Sequence, residues 1–474
     1  MANGGRVILR RVRKRGQRLC HARRTRRRNR VEKAQQTTNA PAPPDCDVLV
    51  IGGGPAGSSV ATLLAERGRR VVLLEKDKHP RFHIGESLLP YNLPLLDRLG
   101  VRAQIETSAQ HKHGIEFVSP FHGKSVRYEF AKAWDKRFPY AFQVRRSAFD
   151  EILLRNASQK GAEVLEECRV TRVEFPENDH PLVTARQADG TEQQWRAAFI
   201  VDASGRDTVL ASQMGSKARN PRNDSAAIYG HFTGARRLEG QAAGNITIVW
   251  FDLGWFWFIP LSDGTTSVGA VSPAANFKNR GTDLKSFFMG LIASSPEIAD
   301  RLKHATLTSE VTATGNYSYS SSTMSGRNFI LAGDACTFID PVFSTGVYVA
   351  MQSGFWAADA VEACLTKPQR AAAILRRYDR TFQKALGSFT WFIYRIREPA
   401  MRNLFMSPRN IFRMEEAVLS LLAGGVFTGW QIKLRLYMFR AIYYATKLSH
   451  LRFRLTGQPL KAPSVATIPR EVSP

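Results

Sequence analysis

The chain has 474 residues, 43% hydrophobic and 23% charged, a make-up that excludes wholesale disorder and a collagen-like chain. Its length corresponds to about three domain-sized pieces. The net charge is +26, and +13 of it sits in residues 1–44, where 14 Lys and Arg face one acid, Glu32.

Residues 1–44 offer almost nothing to bury and end in Ala40-Pro41-Ala42-Pro43-Pro44, a stiff exit. A solvated, Arg-rich, disordered tail is expected, with a weak contact to an anionic surface as the alternative. The tail has no apolar stretch for a secretory signal and no serine for a transit peptide. The five cysteines (Cys20, Cys46, Cys168, Cys336, Cys364) are odd in number and form no C-x-x-C pair. That points to a reducing, cytoplasmic setting rather than a disulfide framework. The longest candidate span, Ala417 to Ile432, has 16 uncharged residues with two adjacent glycines inside. It falls short of the roughly 18 a membrane helix needs.

From Asp45 the texture changes. Val48-Leu49-Val50-Ile51 is a continuous apolar run of the kind a buried parallel strand needs. Gly52-Gly53-Gly54-Pro55-Ala56-Gly57 follows, then a helix over Ser58 to Arg67, then a second strand over Arg70 to Leu74 ending at Glu75. Gly52, Gly54 and Gly57 form G-x-G-x-x-G, with Glu75 18 residues past the last glycine. In such a unit the first glycine permits the tight turn, the second lets backbone approach a pyrophosphate, and the third lets helix and strand pack closely. The helix that starts at Pro55 offers unpaired N–H groups to the phosphates from Ala56 onward, Pro55 setting its first turn, and Glu75 can accept from a ribose diol.

Strand-like stretches dominate from there to about residue 271: Glu163–Phe175, Leu182–Ala188, Phe199–Val201, Asn245–Phe251, Trp255–Pro260 and Ser267–Val271. Helical periodicity returns at Leu284–Leu302, Val347–Leu365 and most of 368–450. Two strands run into acidic turns, Val201-Asp202-Ala203-Ser204-Gly205 and Ile330-Leu331-Ala332-Gly333-Asp334-Ala335. Either acid alone reads as a turn or cap residue.

The ordered set resembles the glutathione-reductase-type FAD fold of the p-hydroxybenzoate hydroxylase class. The resemblance implies an α/β FAD-binding Rossmann-like domain with an inserted antiparallel β-sheet substrate domain. The glycine motif would hold the ADP part, while Gly333 and Asp334, with Asp202 on the matching turn, would meet the ribityl chain and pyrophosphate. Gln143-Val144-Arg145-Arg146-Ser147-Ala148-Phe149-Asp150 resembles the segment whose arginine reaches the cofactor, Arg146 fitting best and Arg145 second. The expected partition is residues 45–110, 143–205 and 320–366 for FAD, 111–142 with 206–319 for substrate, and a helical region over 367–474.

Three further strings resemble flavin-dependent halogenases. Trp255-Phe256-Trp257-Phe258-Ile259-Pro260 matches W-x-W-x-I-P, and Phe338-Ile339-Asp340-Pro341-Val342-Phe343-Ser344-Thr345-Gly346 matches F-x-x-P-x-x-S-x-G. Lys112-His113-Gly114-Ile115-Glu116-Phe117 is similar to the stretch carrying the catalytic lysine, and Gly85-Glu86-Ser87-Leu88-Leu89-Pro90 to the loop beside the flavin ring. The resemblance implies an enzyme that uses FADH2, dioxygen and chloride or bromide to make hypohalous acid, fed by a separate NAD(P)H:flavin reductase. Lys112 would act on the oxidant, either as a neutral amine forming a chloramine or as an ammonium donating to it. Trp255 and Trp257, two apart on a strand, would wall flavin from substrate. Ser344 precedes a helix, so the N–H groups of Thr345 and Gly346, after Pro341, sit where a halide would be held. No residues stand at metal-ligand spacing around His111 and His113.

Tryptophan halogenases carry a glutamate before Ser-Thr-Gly; here it is Phe343. That departure points to a phenol, pyrrole, alkyl or carrier-protein-bound substrate. The rival readings on the same fold are a hydroxylating monooxygenase and a geranylgeranyl-reductase-like oxidoreductase. The aromatic, basic helices of the C-terminal part are expected to form a lid or a carrier-docking face, with a membrane surface as a further alternative.

Overall fold

The computed structural model describes residues 43–456 apart from 222, 316–317, 409 and 426–428. The expected Arg-rich tail therefore lies almost wholly outside the described residues. Two eight-stranded sheets organise the rest. In the first, the strand Cys46–Ile51 is central, flanked in parallel by Val71–Leu74 on one side and Glu192–Asp202 on the other. Phe329–Leu331 and Glu163–Leu165 extend it, again in parallel. Parallel strands buried on both faces need unbroken apolar runs, and Val48 to Ile51 and Val71 to Leu74 supply them. The helices Pro55–Ala65, Arg146–Gln159 and Thr345–Thr366 pack together over this sheet.

The second sheet runs Thr306–Leu307, Ser225–Thr233, Thr265–Pro273, Gly254–Pro260, Ile246–Phe251, Gly114–Ser119, Lys124–Glu129. Its pairs are antiparallel except Ile246–Phe251 with Gly114–Ser119. Both its faces are covered, which explains why Gly254–Pro260 reads as one apolar string. Trp255, Trp257 and Ile259 join the main core. Phe256 and Phe258, one residue out of phase, join a second core with Phe288, Leu291 and Ile298 of two covering helices.

Two expected elements divide. The helix over Leu284–Leu302 is two helices, Leu284–Ala293 and Pro296–Arg301. Pro296 has no N–H to continue the first and starts the second. The stretch Glu163–Phe175 breaks at Glu167, whose φ of 56° turns the chain between the strands Glu163–Leu165 and Cys168–Glu174. The helices Ala371–Ile393, Pro399–Met406, Met414–Leu422 and Trp430–Thr456 close the chain. Among the described residues, no helix is long and apolar enough to cross a membrane. Cys46, Cys168, Cys336 and Cys364 are free and buried.

Candidate active site

Where the two sheets meet lies a cavity of about 910 Å3. The helix Pro55–Ala65 starts at its floor, so Gly52, Gly54, Pro55 and Ala56 line it. Gly57 stands one turn on, behind the lining; a Cβ there would meet the Gly52 carbonyl at 1.9 Å, so only glycine lets helix and strand approach. Glu75 ends its strand with both carboxylate oxygens engaged, accepting from the N–H of Gly53 (2.6 Å) and of Asp77 (2.9 Å). Arg81 leans over Gly54, its Nε buried without a hydrogen-bond partner.

At the far end Asp334 faces the cavity, and burial pushes its carboxyl up to about 7 against the pull of Arg146 and Arg206. Gly333 supports that turn from behind, its N–H donating to Ser353 Oγ at 2.8 Å. Asp202 is fully buried away from the cavity and accepts from the N–H groups of Ser204 (2.9 Å) and Leu210 (2.7 Å). It braces the turn rather than meeting a ligand.

The neighbouring arginines also separate. The helix Arg146–Gln159 begins between them. Arg146 lines the cavity, but its guanidinium forks onto Asp150 (2.8 and 2.9 Å) and donates to the Ile84 carbonyl. It thus holds the loop that precedes Glu86. Arg145, just before the helix, turns to Asp263 (2.8 Å) and Thr265 at the start of the strand Thr265–Pro273; it does not line the cavity, though its Nη1 lies 3.7 Å from Glu86 Oε1, which does.

The loop Gly85 to Pro90 connects the cavity to the lysine. Glu86 lines the cavity; its Oε1 lies 2.8 Å from His231 Nε2 and its buried Oε2 has no partner. Ser87, next along, accepts from Lys112 Nζ at 2.9 Å, and Leu88 offers its carbonyl to the same nitrogen at 3.0 Å. The loop is laced to the strand Ala141–Gln143, which pairs with the lysine strand Gln110–Lys112. The glycine two residues past the lysine is needed for packing: a Cβ on Gly114 would meet the Tyr128 carbonyl at 2.3 Å.

Lys112 is 0% exposed. Burial alone lowers its ammonium to about 7. With two hydrogens taken by Ser87 and Leu88, the charged form keeps a third N–H and the neutral form keeps a lone pair. Either way one valence of Nζ makes no hydrogen bond, and the nitrogen lies 5.3 Å from the centroid of the Phe130 ring.

Trp255 and Trp257 both line the cavity, ring centroids 6.0 Å apart. Trp257 is fixed by its Nε1 donating to Ser267 Oγ (3.1 Å) and by Gly269 beneath its ring. Opposite, Pro341, Ser344, Thr345 and Gly346 complete the lining, and a Cβ on Gly346 would meet nothing within 4 Å. Ser344 occupies the N-cap position with φ 55° and no side-chain capping bond, so it is not an ordinary serine cap. Beside it, Asp340 accepts from the Val342 N–H and from Asn223 Nδ2, each at 3.1 Å, and burial raises its carboxyl to about 6.

The donor set fits FAD: a phosphate cradle at Gly52–Ala56 beneath Arg81, whose buried Nε makes no hydrogen bond and lies 3.8 and 3.7 Å from the Glu75 and Asp77 carboxylates, a diol acceptor in Glu75, and two acids, Glu86 and Asp334, facing the remaining length.

Residues 45–385 match the family of the FAD binding domain. The tryptophan 2-halogenase of Chondromyces crocatus is 37% identical over 348 residues, covering 72% of this chain and 66% of that protein. The 1H-pyrrole-2-carbonyl-(peptidyl-carrier protein) chlorinase of Pseudomonas fluorescens is 29% identical, covering 82% of this chain and 91% of the chlorinase. The structure of the myxobacterial chondrochloren halogenase CndH superposes with a TM-score of 0.71 at 30% identity, over 82% of this chain and 99% of that one. The chain belongs to the flavin-dependent halogenases. It spans just under two thirds of the length of the tryptophan 2-halogenase, at 66%.

In this family member the position before Ser344 is apolar in space as well as in sequence. Phe343 is buried and stacks on Phe405 of the helix Pro399–Met406, centroids 6.3 Å apart. No carboxylate stands there. Several lining residues carry no contiguous sequence signal: Arg81, Arg206, Tyr229, Leu386, Phe389 and Ile393. Arg81 alone was open to inference, as a cation six residues past Glu75 and just before the Gly85 loop.

Proposed function

We propose that the protein is an FADH2-dependent halogenase acting on a small aromatic, phenol- or pyrrole-like, either free or borne by a carrier protein. The bound flavin supplies the oxidant: FADH2, dioxygen, halide and a proton give FAD, water and hypohalous acid. Thr345 and Gly346 present helix N-terminal N–H groups to the halide. Trp255 and Trp257 narrow the way out of the cavity and keep substrate from the flavin. Lys112 acts on the oxidant in one of two ways. Neutral, its lone pair takes the halogen from hypohalous acid as water leaves, and the N–halogen bond then gives the halogen to the arene while the arene proton returns to the nitrogen. Charged, its third N–H donates to hypohalous acid and polarises it, so that the arene takes the halogen and its proton leaves with the oxygen as water. Having one glycine fingerprint and no second one for a nicotinamide, the chain would draw FADH2 from a separate reductase. The unpaired buried cysteines support a cytoplasmic site of action.

The observation that carries this reading is Lys112: a buried amine near neutrality, one hydrogen bond from the cavity wall. The substrate class rests on Phe343. Incubation with a flavin reductase, NADH, bromide and a panel of phenol, pyrrole, pyrrolyl-carrier protein and tryptophan, read by mass spectrometry, tests both. Brominated phenol or pyrrole is expected. Bromination of tryptophan alone would overturn the substrate class. Hydroxylated products, or bleaching of bound FAD by NADPH without reductase, would return the chain to the monooxygenase or reductase reading.

A further inference from the structure

The cavity wall carries electron-rich side chains, among them Trp255, Trp257, Tyr229 and Cys168. At carbon an indole is more nucleophilic than a neutral phenol. Burial raises the Tyr229 phenol above its ordinary value, so it stays neutral. The chamber in which positive halogen is made is therefore walled by better acceptors than a phenol substrate.

The two indoles are not equivalent. Trp255 is 2% exposed and Trp257 6%. One edge of Trp257 is anchored: Cε2, Cζ2 and Cη2 lie over Gly269, and Nε1 donates to Ser267 Oγ at 3.1 Å. The C2–C3 double bond, where an electrophile attacks an indole, is not among the anchored atoms. The Tyr229 ring stands 5.9 Å away, tilted by 38° rather than stacked.

Faster nucleophiles are placed elsewhere. The Cys168 N–H donates to the Glu75 carbonyl at 2.8 Å, which sets that thiol at the diol-binding end of the cavity, and burial keeps it protonated. The thioethers Met214 and Met289 are exposed and do not line the cavity, so only escaped oxidant reaches them. A group held in the chamber meets the oxidant first and at a far higher effective concentration.

We infer that Trp257 is a modification site, the wall residue that consumes hypohalous acid when no acceptor takes it. The indole C3 takes the halogen from hypohalous acid, whose oxygen leaves as hydroxide, and water adds at C2. Halide then departs from C3 and the added oxygen stays as the carbonyl of an oxindole. The side chain gains one oxygen and loses two electrons, the halogen returns as halide, and one proton is released. The inference rests on the oxidant of the function proposed above, not on its acceptor.

The test turns over the holoenzyme with flavin reductase, NADH and bromide but no acceptor, with catalase to remove peroxide, and maps the digest by peptide mass spectrometry. Trp257 is expected to gain one oxygen several-fold ahead of Trp255, Cys168, Met214 and Met289. The mark should require bromide and should vanish when phenol is supplied. Bromine in place of hydrogen on the same ring also upholds the site. Halogenating activity assayed afterwards should decay in step with the mark. A mark that leads on Met214 or Met289, an equal mark without bromide, or an unmarked Trp257 in enzyme that brominates phenol overturns the inference and leaves the halogenase intact. Absence of both brominated phenol and any bromide-dependent mark overturns the function and the inference with it.

Discussion

Lys112 is held near neutrality at a cost in stability, and the sign of that cost can be read by titration. Unfolded, its amine titrates near the ordinary 10.5; folded, near 7. Between those values the unfolded chain binds more protons, so stability rises with pH, and below about 7 the full penalty applies. Lys112→Met is therefore expected to abolish halogenation while stabilising the fold most at low pH. Its advantage over wild type should shrink by on the order of 4 kcal/mol between pH 6 and pH 10, measured by urea unfolding at both pH values. An advantage independent of pH would place the native amine near 10. Asp340 offers a second pH signature. Its carboxyl, raised to about 6 by burial, carries charge in the same cavity as Thr345 and Gly346. Protonation removes a repulsion, so the KM for bromide is expected to fall as pH drops from 8 to 5.5. Steady-state kinetics of Asp340→Asn should show the low KM at both ends.

Elements rather than residues fix the tandem indoles. The strand Gly254–Pro260 is sandwiched, and its period of two sends tryptophans to the cavity and phenylalanines to a different core. Trp257 rests on Gly269 of the neighbouring strand, where a Cβ would come within 2.2 Å of the indole. Gly269→Ala is therefore expected to tilt Trp257 without unfolding the sheet. Halogenated product per NADH consumed should fall several-fold and peroxide release should rise, measured by product and peroxide assays. The elements that carry contiguous signals are legible in the sequence: the G-x-G-x-x-G turn, the Gly85 loop and the W-x-W-x-I-P strand each pack their chemistry into under ten residues. His231 is not legible, since it stands 145 positions from the Glu86 it bonds. The order of Arg146 over Arg145 is legible, but its cause is not: a helix boundary one residue wide sends the first to Asp150 on the cavity side and the second across to Asp263. Asp202 reads like Asp334 because both follow buried strands, and only the path of the chain afterwards shows that one caps a turn while the other faces the cavity.

For the molecule as a whole, the cavity lies between two sheets that also contribute to one continuous core. FAD bound between them is expected to act as a stabilising bridge. At 100 times its Kd it should contribute about 2.7 kcal/mol and raise Tm by roughly 3 °C for a chain of this size. Differential scanning calorimetry with and without FAD checks this; a Tm indifferent to FAD would mean that the cradle does not hold it. The broad architecture is legible because a β-α-β start, a strand-rich middle and helical periodicity at the end follow one another in order. The covering of the second sheet is not: helical periodicity over 284–302 is legible, but not that Phe288 and Ile298 pack on the face carrying Phe256 and Phe258.

The loop from Gly85 to Leu88 has a consequence for how such an enzyme can change. Glu86 faces the cavity and Ser87 accepts from the buried Lys112 amine, so one stretch of backbone governs both. Remodelling it to admit a new acceptor would disturb the cavity wall and the lysine together. Diversification toward new acceptors is thereby pushed outward, to the aromatic helices beyond residue 389, where a side chain can be exchanged without touching the hearth.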